Sequence, residues 1–298
     1  MNTAWVNVSV VTFWLTMMGW LVTQKVLPSL LVGEPPSYRT ILAARQEDPQ
    51  VGWSMAWNER EIGWALNHTE RLSDGMTEIR SRVHFAELPL REMTPGWLQR
   101  LLFNEHELAG RFQMDLDNNL VFDALETLSR FEAAVSFPPE KNAIHITGHV
   151  NNGTMQVSVH AGQFERRQEV QLNPKTLLGD GISPQTHLPG LRAGQTWTIA
   201  IFNPLVPSDK PSEILQATVE GREVTDWDGT PIQTWLVVYR SDAGTASDTS
   251  RPPRGKLWVG PDGTVIKQQA SLFDSTLTFV RLTPSQTAAL VAKVGDLR

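Results

Sequence analysis

Hydrophobic side chains recur along this chain at two different periods. From Ala4 to Thr23 they form an almost unbroken run of Val, Trp, Leu, Met and Phe, and the first charged side chain is Lys25. Wound as a helix at about 1.5 Å per residue, that run measures about 30 Å, the thickness of a bilayer's hydrocarbon core. Trp5 and Trp20 stand near its ends, where indole rings favour the headgroup region. Nothing basic precedes Trp5, the run outlasts the apolar core of a signal peptide, and no small-x-small cleavage pattern follows Lys25. The pattern predicts an uncleaved transmembrane anchor over residues 1–31 that ties the chain to a lipid bilayer.

A Pro/Gly-marked linker, 32–50, separates the anchor from a body, 51–298, in which the period falls to two. Val51, Trp53, Met55 and Trp57 alternate with small or polar neighbours, then Asn58-Glu-Arg-Glu61 turns into Ile62, Trp64 and Leu66. Such alternation marks strands of a sheet with one buried face. Arg111 to Asp117 alternates again, and Asn118-Asn119 predicts a hairpin turn because Asn tolerates positive φ. Asn152-Gly153, Asp228-Gly229 and Pro261-Asp262-Gly263 are further turn signals.

With Asn152 and Gly153 as the two turn residues, Val150 faces Met155, Ile146 faces Val159 and Ile144 faces Ala161. His149, Thr147 and His145 then face Gln156, Ser158 and His160. One face is apolar and the other polar, as a correct register demands. Thr94-Pro95 and Thr283-Pro284 open two helices with an N-cap and a first-turn proline. Asp123 to Phe137 fits either a helix or a strand, and Ser241–Arg254 has loop composition. The expected fold class is mainly β: a large curved antiparallel sheet or half-barrel with a few helices, preceded by one transmembrane helix.

Composition narrows the chemistry. The net charge is −6, with no basic stripe, which argues against a nucleic-acid partner. The absence of Cys removes disulfides, thiolate catalysis and zinc–thiolate sites. Eleven Trp against two Tyr imply large apolar surfaces to bury or to offer a ligand. Lys25, Arg39 and Arg45 all follow the anchor, which would hold the body in the cytoplasm, although long domains translocate largely regardless of such charges.

Three constellations invite a chemical reading. Asp115, Asp117, Asn119, Asp123 and Glu126 match oxygen positions of a calcium loop, but Leu120 stands where the sharp turn requires Gly, so a polar strand face is favoured. His106-Glu107 opens a zinc-protease helix motif, yet Gly110 replaces the second His. His145 and His160, opposed across a hairpin, could grip a metal only with a third ligand that the sequence does not supply. No nucleophile elbow, phosphate loop or dinucleotide fingerprint is present. Catalytic residues and cofactors are accordingly expected to be none.

The stretch Trp57-Asn-Glu-Arg-Glu-Ile-Gly63-Trp64-Ala65, followed by Asp74-Gly75, resembles the opening hairpin of an uncharacterised exported bacterial β-domain family. Leu188-Pro-Gly-Leu-Arg-Ala-Gly194-Gln-Thr-Trp197, Val219-Glu-Gly221-Arg-Glu-Val224 and Leu257-Trp-Val-Gly-Pro-Asp262-Gly263 are similar to its second half. That family is LolA/LolB-like, that is, lipoprotein carrier-like, in its half-barrel architecture. The resemblance implies a curved sheet around an apolar cavity plugged by helices, no catalytic residues, and a place outside the cytoplasm. Retention of an anchor sets this chain apart from free shuttles. The reading that follows is a non-enzymatic protein of the bacterial inner membrane with its bulk in the periplasm. A concave face bearing Trp53, Trp64, Ile146 and Val157 would bind a lipid, an acyl chain or an envelope-protein segment. A structural scaffold or assembly subunit with a filled core is the alternative, and an unrecognised hydrolase the second.

Overall fold

The computed structural model describes residues 12–14, 16–20, 38–47, 50–88, 112–138, 140–171, 183–202, 212–241, 252–272 and 275–297. Within them the chain forms helix α1 (Tyr38–Glu47) and then strands β1 (Gln50–Trp57), β2 (Arg60–Arg71), β3 (Thr77–Leu88), β4 (Phe112–Phe122), β5 (Leu128–Phe137), β6 (Glu140–Asn151), β7 (Thr154–Ala161) and β8 (Phe164–Gln171). It continues through β9 (Thr196–Phe202), β10 (Ser212–Trp227), β11 (Thr230–Ser241), β12 (Gly255–Val259), β13 (Val265–Leu272), β14 (Ser275–Arg281) and helix α2 (Pro284–Val294). All fourteen strands join one antiparallel sheet in the order β8-β7-β6-β5-β4-β3-β2-β1-β14-β13-β12-β11-β10-β9. The sheet is thus two meanders, β1 to β8 and β9 to β14, sewn together where β1 pairs with β14. Strands β8 and β9 are its edges, and it does not close.

Turn chemistry sets most of the pairing. Asn58 and Glu59, Asn152 and Gly153, and Asp228 and Gly229 all take the positive φ that two-residue hairpins demand. The β6–β7 register is the one read from the sequence, with Ile146 opposite Val159 and His145 opposite His160. Asn118 and Asn119 are not a turn. They lie inside β4, opposite Ser81 and Arg80 of β3, and the chain reverses instead at Asp123–Thr127, where Asp123 Oδ1 accepts from the amides of Leu125 and Thr127. A tight Asx-type reversal four residues later thus outweighs the local Asn-Asn preference, and it resolves the ambiguous segment in favour of strand β5.

The β1–β2 hairpin departs from its turn register in an informative way. Continued from Trp57↔Arg60, that register would put Trp64 opposite Trp53. A bulge between Met55 and Ala56 gives β2 one extra residue, so Ala65 opposes Trp53 and Trp64 opposes Ser54. A one-residue shift exchanges the faces of a strand. Trp53 is fully buried, whereas Trp64 lies half-buried on the other face, its ring stacked on His84 at 5.4 Å. Gly63 makes this possible, because a Cβ there would sit 1.9 Å from the carbonyl oxygen of His84 on β3.

Both helices serve the sheet. Helix α1 falls within the segment read as linker; its Ile41 and Leu42 are buried, and Leu42 packs with Ile79, Phe122 and Leu128 at the ends of β3, β4 and β5. Helix α2 begins as expected, with a capping box between Thr283 and Gln286 and Pro284 in the first turn. It lies across Gly52 of β1, whose amide donates to Thr287 Oγ1 at 3.2 Å. The helix expected from Thr94-Pro95 and the loop at 242–251 lie outside the described residues. Residues 12–14 and 16–20 are helical and exposed, and the remainder of the expected anchor also lies outside. Among the described residues no helix is long and apolar enough to cross a membrane.

Replacing Gly63 with Ala should force the β2 and β3 backbones apart and lower unfolding free energy by about 3 kcal/mol, the scale of backbone-clash substitutions. Urea denaturation monitored by Trp fluorescence measures it; an unchanged midpoint would show that the bulge relaxes freely.

Candidate functional site

Trp53, Ile146 and Val157 do share the concave face, together with Val83, Leu116 and Val135. Trp64 does not, for the reason just given. The concave face is occupied by the chain itself. Trp53, Phe85, Val83, Met155, Val237, Leu277 and Phe279 have no exposed surface and belong to one apolar cluster spanning both meanders.

Across that face runs a strap, residues 183–191, part of the link between edge strands β8 and β9. Its contacts are specific. The Ser183 hydroxyl meets Ser81 Oγ of β3 and accepts from Asn118 Nδ2 of β4, both at 2.9 Å. Two residues on, the Gln185 amide donates to Gln268 Oε1 of β13 at 2.9 Å. β3 and β13 stand four places apart in the strand order, yet the strap bonds both within three residues, and Met155 of β7 and Val237 of β11 are wholly buried in one cluster with Leu188 of the strap. The sheet therefore curls around the strap.

Farther along, the Thr186 carbonyl accepts from Arg281 Nη1 at 3.1 Å and from the Val265 amide at 3.0 Å. The Leu188 amide donates to the Gly263 carbonyl at 2.7 Å, and Leu188 is fully buried. The guanidinium of Arg281 also lies 5.8 Å from the Trp53 ring, whose indole N–H donates to Asn67 Oδ1 at 2.9 Å. Buried polar groups are tolerated inside a core when they are paired in this way. None of these strap contacts was apparent beforehand. Arg281 could have been, since it follows Leu277 and Phe279 at the same alternation and so occupies an apolar position.

At the end of the half-barrel where β1 begins, the strand ends frame a cleft of ≈ 590 Å³. The tip of the β10–β11 hairpin folds over one side, with Trp227 Nε1 donating to the Arg281 carbonyl at 2.7 Å. The β12–β13 turn and the start of α2 form the others. Asp262 stands on that turn. Burial alone would raise its pKa, but the amide and hydroxyl of Thr264, its own amide and the nearby His187 outweigh that and hold the carboxyl below the usual range.

The remaining candidates separate. His145 and His160 oppose each other, but each pairs with a different carboxylate, Glu132 at 3.4 Å and Glu165 at 3.9 Å. Among the described residues no three His, Asp or Glu side chains gather as a metal-holding group. Asp115 and Asp117 lie along β4 and take partners on β3: His84 Nδ1 at 2.7 Å and Arg82 Nε at 2.6 Å. The register sets Asp115 between His84 and Ser136, so the carboxylate occupies the middle place that a serine hydrolase gives to its imidazole. His106 and Glu107 lie outside the described residues.

No family model matches the sequence, and no curated protein matches it. Among solved structures the chain is similar to a β-barrel-like protein of unknown function, DUF1849, from Brucella abortus, with TM-score 0.46 and 10% identity over 78% of this chain and 95% of that one. It is also similar to a DUF1089 family protein from Pseudomonas aeruginosa (TM-score 0.32, 17% identity, 68% and 87% covered). A third is the hypothetical lipoprotein YmcC from Escherichia coli (TM-score 0.26, 13% identity, 79% and 88% covered). Likenesses this distant assign neither family nor activity.

A carboxylate whose folded pKa lies below its unfolded value stabilises the fold above about pH 4 and loses that contribution as pH falls through the folded value. Asp262→Asn should therefore lower the urea midpoint at pH 7, with the difference from the parent shrinking as the pH drops into the acid range. A pH-independent difference would mean that the charge of Asp262 contributes nothing.

Proposed function

We propose that this chain is a non-enzymatic envelope protein whose β domain is a platform with a filled core: a scaffold or assembly subunit rather than a carrier. The carrying observation is the occupied concave face. Trp53, Phe85, Leu277 and Phe279 are wholly buried in one apolar cluster that also holds Leu188 of the strap. In this reading the apolar run from Ala4 to Thr23 tethers the platform to the inner membrane, with the bulk of the chain on the periplasmic side. The support for the tether is the length and composition of that run. Support for the side of the membrane is the resemblance of the hairpin and turn motifs to exported β domains.

Binding of a lipid, an acyl chain or an envelope-protein segment on the concave sheet is the second reading, favoured by the apolar face that Trp53, Ile146 and Val157 share. It requires the strap to leave, which would strip partners from Ser81, Asn118 and Gln268. Each such loss costs about 1 kcal/mol or more while the site stays dry.

The two readings differ in what truncating a concave-face side chain does. In a filled core, Phe279→Ala leaves a void and should cost about 3–5 kcal/mol. Native mass spectrometry of the full chain released from lipid nanodiscs should show the bare protein mass. Near-neutral truncation together with a lipid-sized adduct lost on denaturation would replace the platform by a carrier.

A further inference from the structure

The two edges of the sheet are chemically unlike. Edge strand β8, FERRQEVQ, carries Glu165, Arg166, Arg167 and Glu169, the kind of charged side chain with which natural sheets blunt an edge. Edge strand β9, TWTIAIF, carries no charge and no proline. Every residue of it except Ala200 is β-branched or aromatic, the composition that pairs most readily.

The ladder shows which backbone groups of β9 are free. The Val219 amide donates to the Gln195 carbonyl at 2.9 Å, so Gln195 is a bonded position. The β9–β10 register runs on from there without a bulge, and bonded positions alternate along an antiparallel pair. Trp197, Ile199 and Ile201 therefore turn their amides and carbonyls to β10, while those of Thr196, Thr198, Ala200 and Phe202 point away from the sheet. Among the described residues none bonds the outward backbone groups of Thr196 and Thr198. Trp197 and Ile199 are buried in the core, which holds this edge extended.

We propose that β9 is a dimerisation edge: a second copy of this chain adds its own β9 antiparallel to it, about a two-fold axis at Ile199. That register overlaps the whole strand. Thr196 stands opposite Phe202 and Thr198 opposite Ala200, so every outward-facing residue of β9 exchanges backbone bonds with the other copy. Trp197 stands opposite Ile201 and Ile199 opposite its counterpart, aromatic and β-branched types that favour each other across strands, and no charge enters the junction. Pairing β9 with β8 would instead set an uncharged strand against a charged one. Being head-to-tail, it would also leave an open edge at each end and grow into a filament. The β9 pair is its own complement and closes. Such a dimer goes beyond the platform reading, because β9 is the same edge whether the concave face is filled or holds a ligand.

The chain has no Cys, so a single introduced thiol reports pairing without background. Opposed residues that exchange no backbone bonds stand about 4.5 Å apart at Cα, within disulfide reach. Ile199→Cys in the full chain in lipid vesicles, oxidised with copper–phenanthroline, should run on a non-reducing gel as a product of twice the chain's mass. Arg167→Cys, exposed in the middle of β8, should stay single. Because Ile199 is buried, Thr198→Pro provides the second arm: it removes one outward N–H, and proline is tolerated on an edge strand whose N–H faces solvent. Native mass spectrometry of the full chain in detergent micelles should give the dimer mass for the parent and the single-chain mass for Thr198→Pro, with their far-UV circular dichroism alike. A single-chain mass for the parent, an undiminished dimer in Thr198→Pro, no product from Ile199→Cys, or equal cross-linking through Arg167→Cys would overturn the proposal. So would a disulfide-linked product of any other mass in cell membranes, which would give β9 to a strand of a different protein.

Discussion

An open sheet of fourteen strands has one large apolar face, and everything else in this molecule follows from the need to cover it. Leaving that face wet would forfeit about 25 cal/mol for every Å² of apolar surface. A closed barrel solves the problem by joining its edges. This chain curls the sheet until the two meanders share one core and then draws the strap, residues 183–191, across the concave side. The strap brings backbone amides and carbonyls into a dry region, and it is admissible because partners wait for them. Gln268, Val265, Arg281 and the Gly263 carbonyl serve the strap's backbone, and Ser81 and Asn118 meet its one serine.

The same constraint explains the placement of residues whose types look misplaced. A strand that alternates Leu277, Phe279 and Arg281 buries a cation, which is costly unless paired. Here it bonds the strap, lies near the indole of Trp53, and its main-chain carbonyl receives the indole of Trp227. One residue thereby joins the core, the strap and the hairpin tip that closes the end cleft. The glycines at 63 and 148 belong to the same economy of space. A Cβ at Gly148 would stand 2.0 Å from the ring of Phe131, which lies over that position on the neighbouring strand.

Much of this was legible in the residues. Period-two alternation gave the strands β1, β6 and β7, Asn152-Gly153 gave the β6–β7 turn and Asp228-Gly229 the β10–β11 turn, because both are local properties of the backbone. The N-cap and proline at Thr283-Pro284 gave α2 for the same reason. What local reasoning missed depends on neighbours distant in sequence. The bulge that sends Trp64 to the far side from Trp53 is set by the fit of β2 against β3, and Asn118-Asn119 stays extended because β3 and β5 both pair with it. The strap has no periodicity to read, and its role exists only once the sheet has curled. The end cleft assembles residues from Gln50 to Ala288, so no motif could announce it.

The central claim is that the strap is part of the core and not a lid over a cavity. Hydrogen exchange of the full chain in lipid nanodiscs, read by mass spectrometry on peptides covering 183–191, tests it most directly. If the strap is core, the amides of Gln185 and Leu188 exchange as slowly as those of β1 and β14, through the same global opening. Exchange of those amides at loop rates, with β1 and β14 still protected, would contradict the claim and return the concave face to the role of a binding site.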